Sequence, residues 1–365
     1  MYHHYHNNTS EVFIGWTVGL YMFGYGIGQL FFGPLSDWKG RRMVIIISSF
    51  AFSIVSGLII IAPNIFILNF LRFLQGISIA GLAVAIRAVL VDVFSAEELK
   101  KVSSYFALSW SIGPIVGPFI GSHLENLFGW KSNFCLFLIY GVIICFYTLI
   151  FFKETNLNME KLDGKLLIKN MKVMIKCKDF VFIVIISASM YALIIIFNIV
   201  GPFILENVMN KSVEFYGNIA MLLGTAYFFG VLLNRVLINR VHEKTLILVG
   251  LSINLMIAII MIIINIFLQN ILTLIIPVYL IFLFIGLVVP NAILISMSIF
   301  KKNSGLASSL FGLINGIVVF LISNIISALN IKSGILLGFV YLICIGGSII
   351  LKSSISRAKE KVIIE

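Results

Sequence analysis

Apolar residues gather in eleven runs along this chain, at about 11–35, 43–62, 65–93, 102–122, 133–152, 180–205, 216–239, 245–268, 271–298, 304–328 and 334–352. Each holds between 19 and 29 residues, and short polar segments part them. A run of about 20 apolar residues crosses the hydrocarbon core of a bilayer as a helix. Lipid offers no partner to an exposed N–H or C=O, so each run must close its hydrogen bonds internally as an α-helix. The pattern therefore predicts an all-α polytopic membrane protein with eleven spans. The longest polar stretch, 153–179, leaves five spans before it and six after. It sets an expected N-terminal bundle (1–152), a linker (153–179), a C-terminal bundle (180–352) and a tail (353–365). Leu166 to Ile175 within the linker is partly amphipathic, which suits either contact with the lipid surface or a solvated hinge.

Composition strengthens this reading. Of 365 residues 60% are hydrophobic and 11% charged, with mean hydropathy +1.10, a balance that excludes a soluble domain. The net charge of +11 raises the question of nucleic acid, but the basic residues lie in short loops, so membrane orientation explains them instead. With the loop after the first run placed inside, inner segments hold 21 Lys and Arg, and outer ones hold only Lys131, Lys211 and Lys332. That asymmetry predicts the N-terminus outside and the C-terminus in the cytoplasm. Cys135, Cys145, Cys177 and Cys344 have the spacing of neither a metal site nor a disulfide framework. His3, His4 and His6 lack acidic or Cys neighbours, so a polar terminus is expected there and no metal. Residues 1–10 have no Lys, Arg or apolar core, so no signal peptide is expected in them.

Between the first two runs stands Gly33-Pro34-Leu35-Ser36-Asp37-Trp38-Lys39-Gly40-Arg41-Arg42. Ten residues cannot cross a bilayer, so a tight turn at the inner face is expected. Gly33 and Gly40 suit close helix approach and positive φ. Asp37 is placed to cap the following helix. An ordinary basic loop is the plainer alternative. The segment resembles the signature loop of the major facilitator superfamily, G-x-L-S/T-D-x-x-G-R-R, with every fixed position filled. The resemblance implies two helical bundles related as parallel repeats, with the substrate site between them near the midplane. Weak internal repetition agrees: Gly28 to Arg42 aligns with Gly230 to Lys244. By motif position the run at 11–35 corresponds to the family's second helix, so the chain as read here lacks the first. That helix helps line the cavity and often carries the family's proton-binding acid.

Arg72-Phe73-Leu74-Gln75-Gly76 lies inside the third run. A charge there costs about 2.5–3.5 kcal/mol to insert, so Arg72 either faces a wet cavity or snorkels outward. R-x-x-Q-G resembles a motif of the family's fourth helix, whose Arg is associated with proton coupling in antiporters. At the inner end Asp92 has two candidate partners, Arg87 and Arg41. The resemblance implies that Asp37, Arg41, Arg42 and Asp92 form a charge cluster latching the outward-facing state. Gly113-Pro114, Gly117 and Gly121 make a smooth face for helix packing, resembling the family's antiporter motif G-P-x-x-G-x-x-x-G. Phe128-Gly129-Trp130-Lys131 and Val289-Pro290-Asn291-Ala292 narrow the resemblance to the bicyclomycin-resistance (Bcr/CflA) branch. Pro290 frees a carbonyl, and Asn291 offers an amide at the expected break. Tyr191 and Asn198 share a helix face.

These readings converge on a proton-coupled exporter of drug-like molecules in a bacterial inner membrane. Arg72, Gln75, Tyr191, Asn198 and Asn291 are its expected cavity residues, though each polar one could serve as interhelical glue instead. The expected partners are a small organic substrate, protons and lipid, in a monomer with no nucleic acid. No G-x-x-x-x-G-K-S/T is present, so no cofactor is expected and a proton gradient is the expected drive. No catalytic triad pattern appears, so the chain does not read as an enzyme. The alternatives are a metabolite transporter of the same fold and a truncated product without transport.

Overall fold

The computed structural model describes residues 11–94, 96–156, 164–238, 240–300, 304–329 and 331–355. The histidine cluster, the middle of the linker, Lys301 and Lys302, and the tail beyond residue 355 lie outside them. Every regular element among the described residues is helical. In chain order these are α1 (Glu11–Lys39), α2 (Arg41–Ile60), α3 (Ile65–Val93), α4 (Ala96–Phe128), α5 (Lys131–Phe151) and α6 (Gly164–Lys176). Then come α7 (Lys178–Pro202), continued by a π turn (Phe203–Val208), α8 (Val213–Leu237), α9 (Glu243–Phe267), α10 (Ile271–Ile299), α11 (Ser304–Leu329) and α12 (Gly334–Ser354). Nine helices among the described residues are long and apolar enough to cross a membrane. The other two expected spans fall in α1 and α4. Both are long, but glycine, tyrosine and polar side chains dilute their hydropathy.

The residues form two compact units. One comprises 1–107, 124–173 and 305–328; the other 108–123, 174–304 and 329–365. In the first unit, α1 is wedged between two helices by small residues on opposite faces. Gly15, Gly19, Gly26 and Gly33 fall within about 40° of each other at 100° per residue, and Gly24 and Gly28 lie roughly opposite. The first set meets α11: Gly15 against Ser327, Gly19 against Ser323, Gly26 against Gly316 and Gly33 against Ser309. As numbers rise on α1 they fall equally on α11, so the two helices run antiparallel in register over about 27 Å. The opposite face meets α3, where a Cβ on Gly24 would overlap the Phe73 carbonyl and one on Gly76 the Tyr21 carbonyl. Backbones this close gain dispersion contact that larger side chains would prevent.

The expected ten-residue turn is shorter than predicted. Helix α1 continues through Pro34 to Lys39, and Gly40 alone, at φ 91°, turns the chain into α2. One left-handed glycine suffices for the corner, so the polar residues stay helical. Asp37 accordingly sits in the last turn of α1 and does not cap α2; Gly40 is the N-cap and offers no side chain. Nor is there a break at Pro290. Helix α10 runs through Pro277 and Pro290, and the Asn291 amide donates back to the Leu287 carbonyl at 2.7 Å.

In the second unit, α8 and α10 meet at Gly230 and Gly286, whose backbones touch. Tyr341 of α12 is fully buried and donates to the Leu193 carbonyl of α7 at 3.1 Å.

Candidate functional site

Where α1, α2, α3 and α5 end on one side, five charged residues converge. The Arg41 guanidinium is nearly buried. It pairs through Nε with Asp92 Oδ2 at 2.9 Å and through Nη1 with Asp37 Oδ1, and Nη1 also donates to Ser36 Oγ at 3.1 Å. Asp92 also accepts from Thr155 Oγ1 at 3.2 Å. Of its two candidate partners it therefore takes Arg41. Arg42 uses its side chain differently, donating Nη2 to the Leu149 carbonyl at 2.8 Å, where a cation suits the negative end of α5.

Glu154, just past α5, completes this cluster, and the sequence reading did not single it out. Its carboxylate accepts the backbone N–H of Arg41 at 2.9 Å and of Arg42 at 3.1 Å. It also accepts those of Thr155 at 3.0 Å and Asn156 at 2.9 Å. Helix α2 thus receives from a distant residue the cap that Gly40 cannot give. Asn156 in turn donates Nδ2 to the Asp37 carbonyl at the end of α1, at 2.9 Å. The short segment after α5 therefore clasps both sides of the Gly40 corner. The available signal was an acid within two residues of a span's C-terminal end, where an antiparallel neighbour presents its N-terminus.

Further along α3, Arg72 and Gln75 meet. Arg72 Nη1 donates to Gln75 Oε1, and its Nε donates to the Thr17 carbonyl of α1 at 3.3 Å. The guanidinium lies 4.5 Å from the Tyr21 ring centre and 5.7 Å from that of Phe134. Desolvated contacts of this kind are worth about 2 kcal/mol. Gln75 is fully buried, and its Nε2 donates to Ser56 Oγ of α2 at 2.8 Å. Ser56 Oγ in turn donates a hydrogen bond to the Phe52 carbonyl at 2.7 Å. One turn-by-turn relay thus ties the cation to three helices. Arg87, five residues short of Asp92, has a similar setting: Nη2 donates to Gln29 Oε1 at 2.7 Å, Nη1 to Ser308 Oγ at 3.2 Å and Nε to the Ala83 carbonyl at 3.0 Å. Gln29 is itself pressed onto Gly312. Neither contact was foreseen, because both partners are neutral and far away in sequence.

Tyr191, Asn198 and Asn291 belong to the second unit. From Ile186 to Val200 every residue of α7 is buried except Tyr191 and Asn198. Asn198 lines an apolar recess with Phe197, Leu223 and Phe282, and its Oδ1 lies 3.4 Å from the Tyr216 hydroxyl. Asn291 is fully buried and donates to Asn234 of α8, and among the described residues its own Oδ1 has no hydrogen-bond partner. On α4, a Cβ built on Gly113 or Gly117 meets no atom within 4 Å, so among the described residues no close helix approach is made there in this conformation. The small-residue contact falls one turn later, where Gly217 of α8 packs on Ser122 and the Pro118 carbonyl.

The model of the Major Facilitator Superfamily matches residues 1–323. The chain belongs to this superfamily. An "Uncharacterized transporter" of Rickettsia bellii is 27% identical over 86% of this chain and 80% of its own length. A "Bicyclomycin resistance protein homolog" of Haemophilus influenzae is 24% identical over 65% of this chain and 60% of its own. In fold the chain is similar to the crystal structure of a D-xylose-proton symporter. That likeness has TM-score 0.75 and 14% identity, and covers 98% of this chain and 91% of the other. This is therefore a multi-pass major facilitator transporter and not an enzyme. It resembles the drug:proton antiporters of the bicyclomycin-resistance branch. The signature loop of the superfamily is the corner that Glu154 and Asn156 hold.

Proposed function

We propose that this transporter exports small, drug-like organic molecules across a bacterial inner membrane in exchange for entering protons. The observation that carries the reading is Arg72. It is a guanidinium inside a span whose protein partners are an amide, a carbonyl and two aromatic rings. Among the described residues it makes no ion pair. A permanent charge so held is expensive and marks a transport path by default. The run from Gly113 to Gly121 and the bicyclomycin-resistance homologue support export over uptake. On this reading eleven spans form bundles at 1–152 and 180–352, joined by a cytoplasmic linker. The N-terminus lies outside and the C-terminus in the cytoplasm, and the protein works as a monomer. Arg72, Gln75, Tyr191, Asn198 and Asn291 serve the cavity. Asp37, Arg41, Arg42 and Asp92 latch one conformation.

The test is dye efflux from vesicles under an imposed proton gradient, with protein level matched. Arg72→Ala should abolish gradient-driven efflux while the protein still inserts. Arg72→Lys should not restore it, because an ammonium cannot reach Gln75 and Thr17 together as the planar fork does. Wild-type efflux in Arg72→Ala would sink the proposal. Inward accumulation of a metabolite under the same gradient would replace export with symport.

A further inference from the structure

Helix α6 is not used by the transport reading. Its lysines are Lys165, Lys169, Lys172 and Lys176, and the helix contains no acid. At 100° per residue all four project within about 60° of one another. On the opposite side Met174 is fully buried. Beside the lysine stripe Ile168 and Ile175 stand 56% and 51% exposed. The position of the helix along the chain is equally telling. It ends at Lys176, with only Cys177 between it and the start of α7 at Lys178, and α7 is long and apolar enough to cross a membrane. Helix α6 therefore sits in the chain directly at the end of a membrane-capable helix.

An acidic protein partner would account for the lysines but would leave two isoleucines exposed at a membrane boundary. Free phosphate would need a cradle of converging donors, whereas these lysines are strung along about 17 Å of helix. A surface offering negative charge above and hydrocarbon beneath matches both features. We propose that α6 lies on the bilayer surface and binds anionic phospholipid headgroups through Lys165, Lys169, Lys172 and Lys176, with Ile168 and Ile175 entering the interface. Assignment to the cytoplasmic leaflet rests on the orientation proposed above; the lipid contact does not.

The test uses the full chain with its four cysteines replaced by serine and Ile168→Cys carrying an environment-sensitive fluorophore. It is reconstituted into vesicles of phosphatidylcholine alone or mixed with phosphatidylglycerol. In the mixture, emission should shift to the blue and quenching by headgroup-level nitroxide lipids should rise. Molar salt should reverse both by screening the surface. Each Lys→Gln substitution should weaken surface association about fivefold, and replacing all four should remove the dependence on phosphatidylglycerol. Glutamine preserves helix propensity, and the salt arm leaves the lysines in place, so misfolding cannot mimic the result. Equal signals in the two lipids, or a response that survives loss of all four lysines, would overturn the proposal. So would inorganic phosphate producing the same shift on phosphatidylcholine vesicles.

Discussion

Removing the Glu154 carboxylate should loosen the corner between α1 and α2, and the size of the effect can be worked out. Its two oxygens accept four backbone N–H groups, two of them the first donors of α2. Gly40 has no side chain to replace them. Losing a side-chain cap costs about 0.5–2 kcal/mol. A hydrogen bond to a charged group adds about 1.5–3 kcal/mol where the donor is left unpaired. Water can reach part of this corner, so about 2–3 kcal/mol is expected for Glu154→Ala, toward the low end of the combined range. Glu154→Gln should lose roughly half of that, about 1–1.5 kcal/mol. Its amide oxygen keeps one acceptor edge, but its NH₂ would face the Arg42 N–H, donor against donor.

The assay can be built on the protein's own thiols. Cys145 of α5 is buried, with its sulfur 4.0 Å from the Ile46 carbonyl of α2. With Cys135, Cys177 and Cys344 replaced by serine, a fluorogenic maleimide reports separation of α2 from α5 on heating. Glu154→Ala should lower the midpoint by about 3–8 °C at a fixed scan rate. Lys153→Gln, an exposed neighbour, should leave it unchanged. If Glu154→Ala melts with the parent, the cap contributes nothing and Glu154 is an ordinary linker residue.

Three further outcomes follow from the same geometry. Gly76→Ala should destabilise strongly in the same melt, since its Cβ would overlap the Tyr21 carbonyl, whereas Gly113→Ala should be silent because the space beside it is open; equal effects would refute the α1–α3 contact. Asp37→Asn should shift stability by under about 1 kcal/mol, because that carboxylate is largely exposed. It should nevertheless reduce efflux and change cysteine accessibility from outside, and unchanged accessibility would end the latch idea. A topology reporter near Asn158 should read cytoplasmic and one near Asn207 periplasmic; a shared location would overturn the span order.

What sequence could and could not reveal divides along physical lines. Apolar length gave the helices, because a bilayer imposes the same requirement on every span. The signature loop marked Asp37 and Arg41, and the acid at the end of the third run marked Asp92, because opposite charges at helix ends announce themselves. Glu154 was passed over because its partners are backbone N–H groups 112 and 113 residues away, which no side-chain motif encodes. The corner is shorter than its polarity suggests for a related reason: a single glycine at positive φ turns the chain, and the polar residues before it stay helical. The glycines of α1 were visible, but their division between two faces means something only once α3 and α11 are known to lie there. Gly113 and Gly117 are the converse case, a pattern that promises packing and finds open space in this conformation.

Arg41, Arg72 and Arg87 of the first unit show why position matters more than residue type. Arg41, at the end of the spans, is paired with two carboxylates that water can also reach. The Arg41 guanidinium is nearly buried while the Asp37 carboxylate is largely exposed, so solvent screens that half of the pairing. Arg72 and Arg87 lie within the span of α3 and are met by glutamine, serine, backbone carbonyls and, for Arg72, aromatic faces. A carboxylate there would bind each of them more tightly, but at the desolvation penalty of a second buried charge, and separating the pair would cost about 3–5 kcal/mol. Neutral partners satisfy the donors while leaving the positive charge uncancelled and its field available to whatever enters beside it. On the proposed reading, carboxylate partners at the rim would suit a latch, and neutral partners inside would keep the Arg72 charge in the cavity.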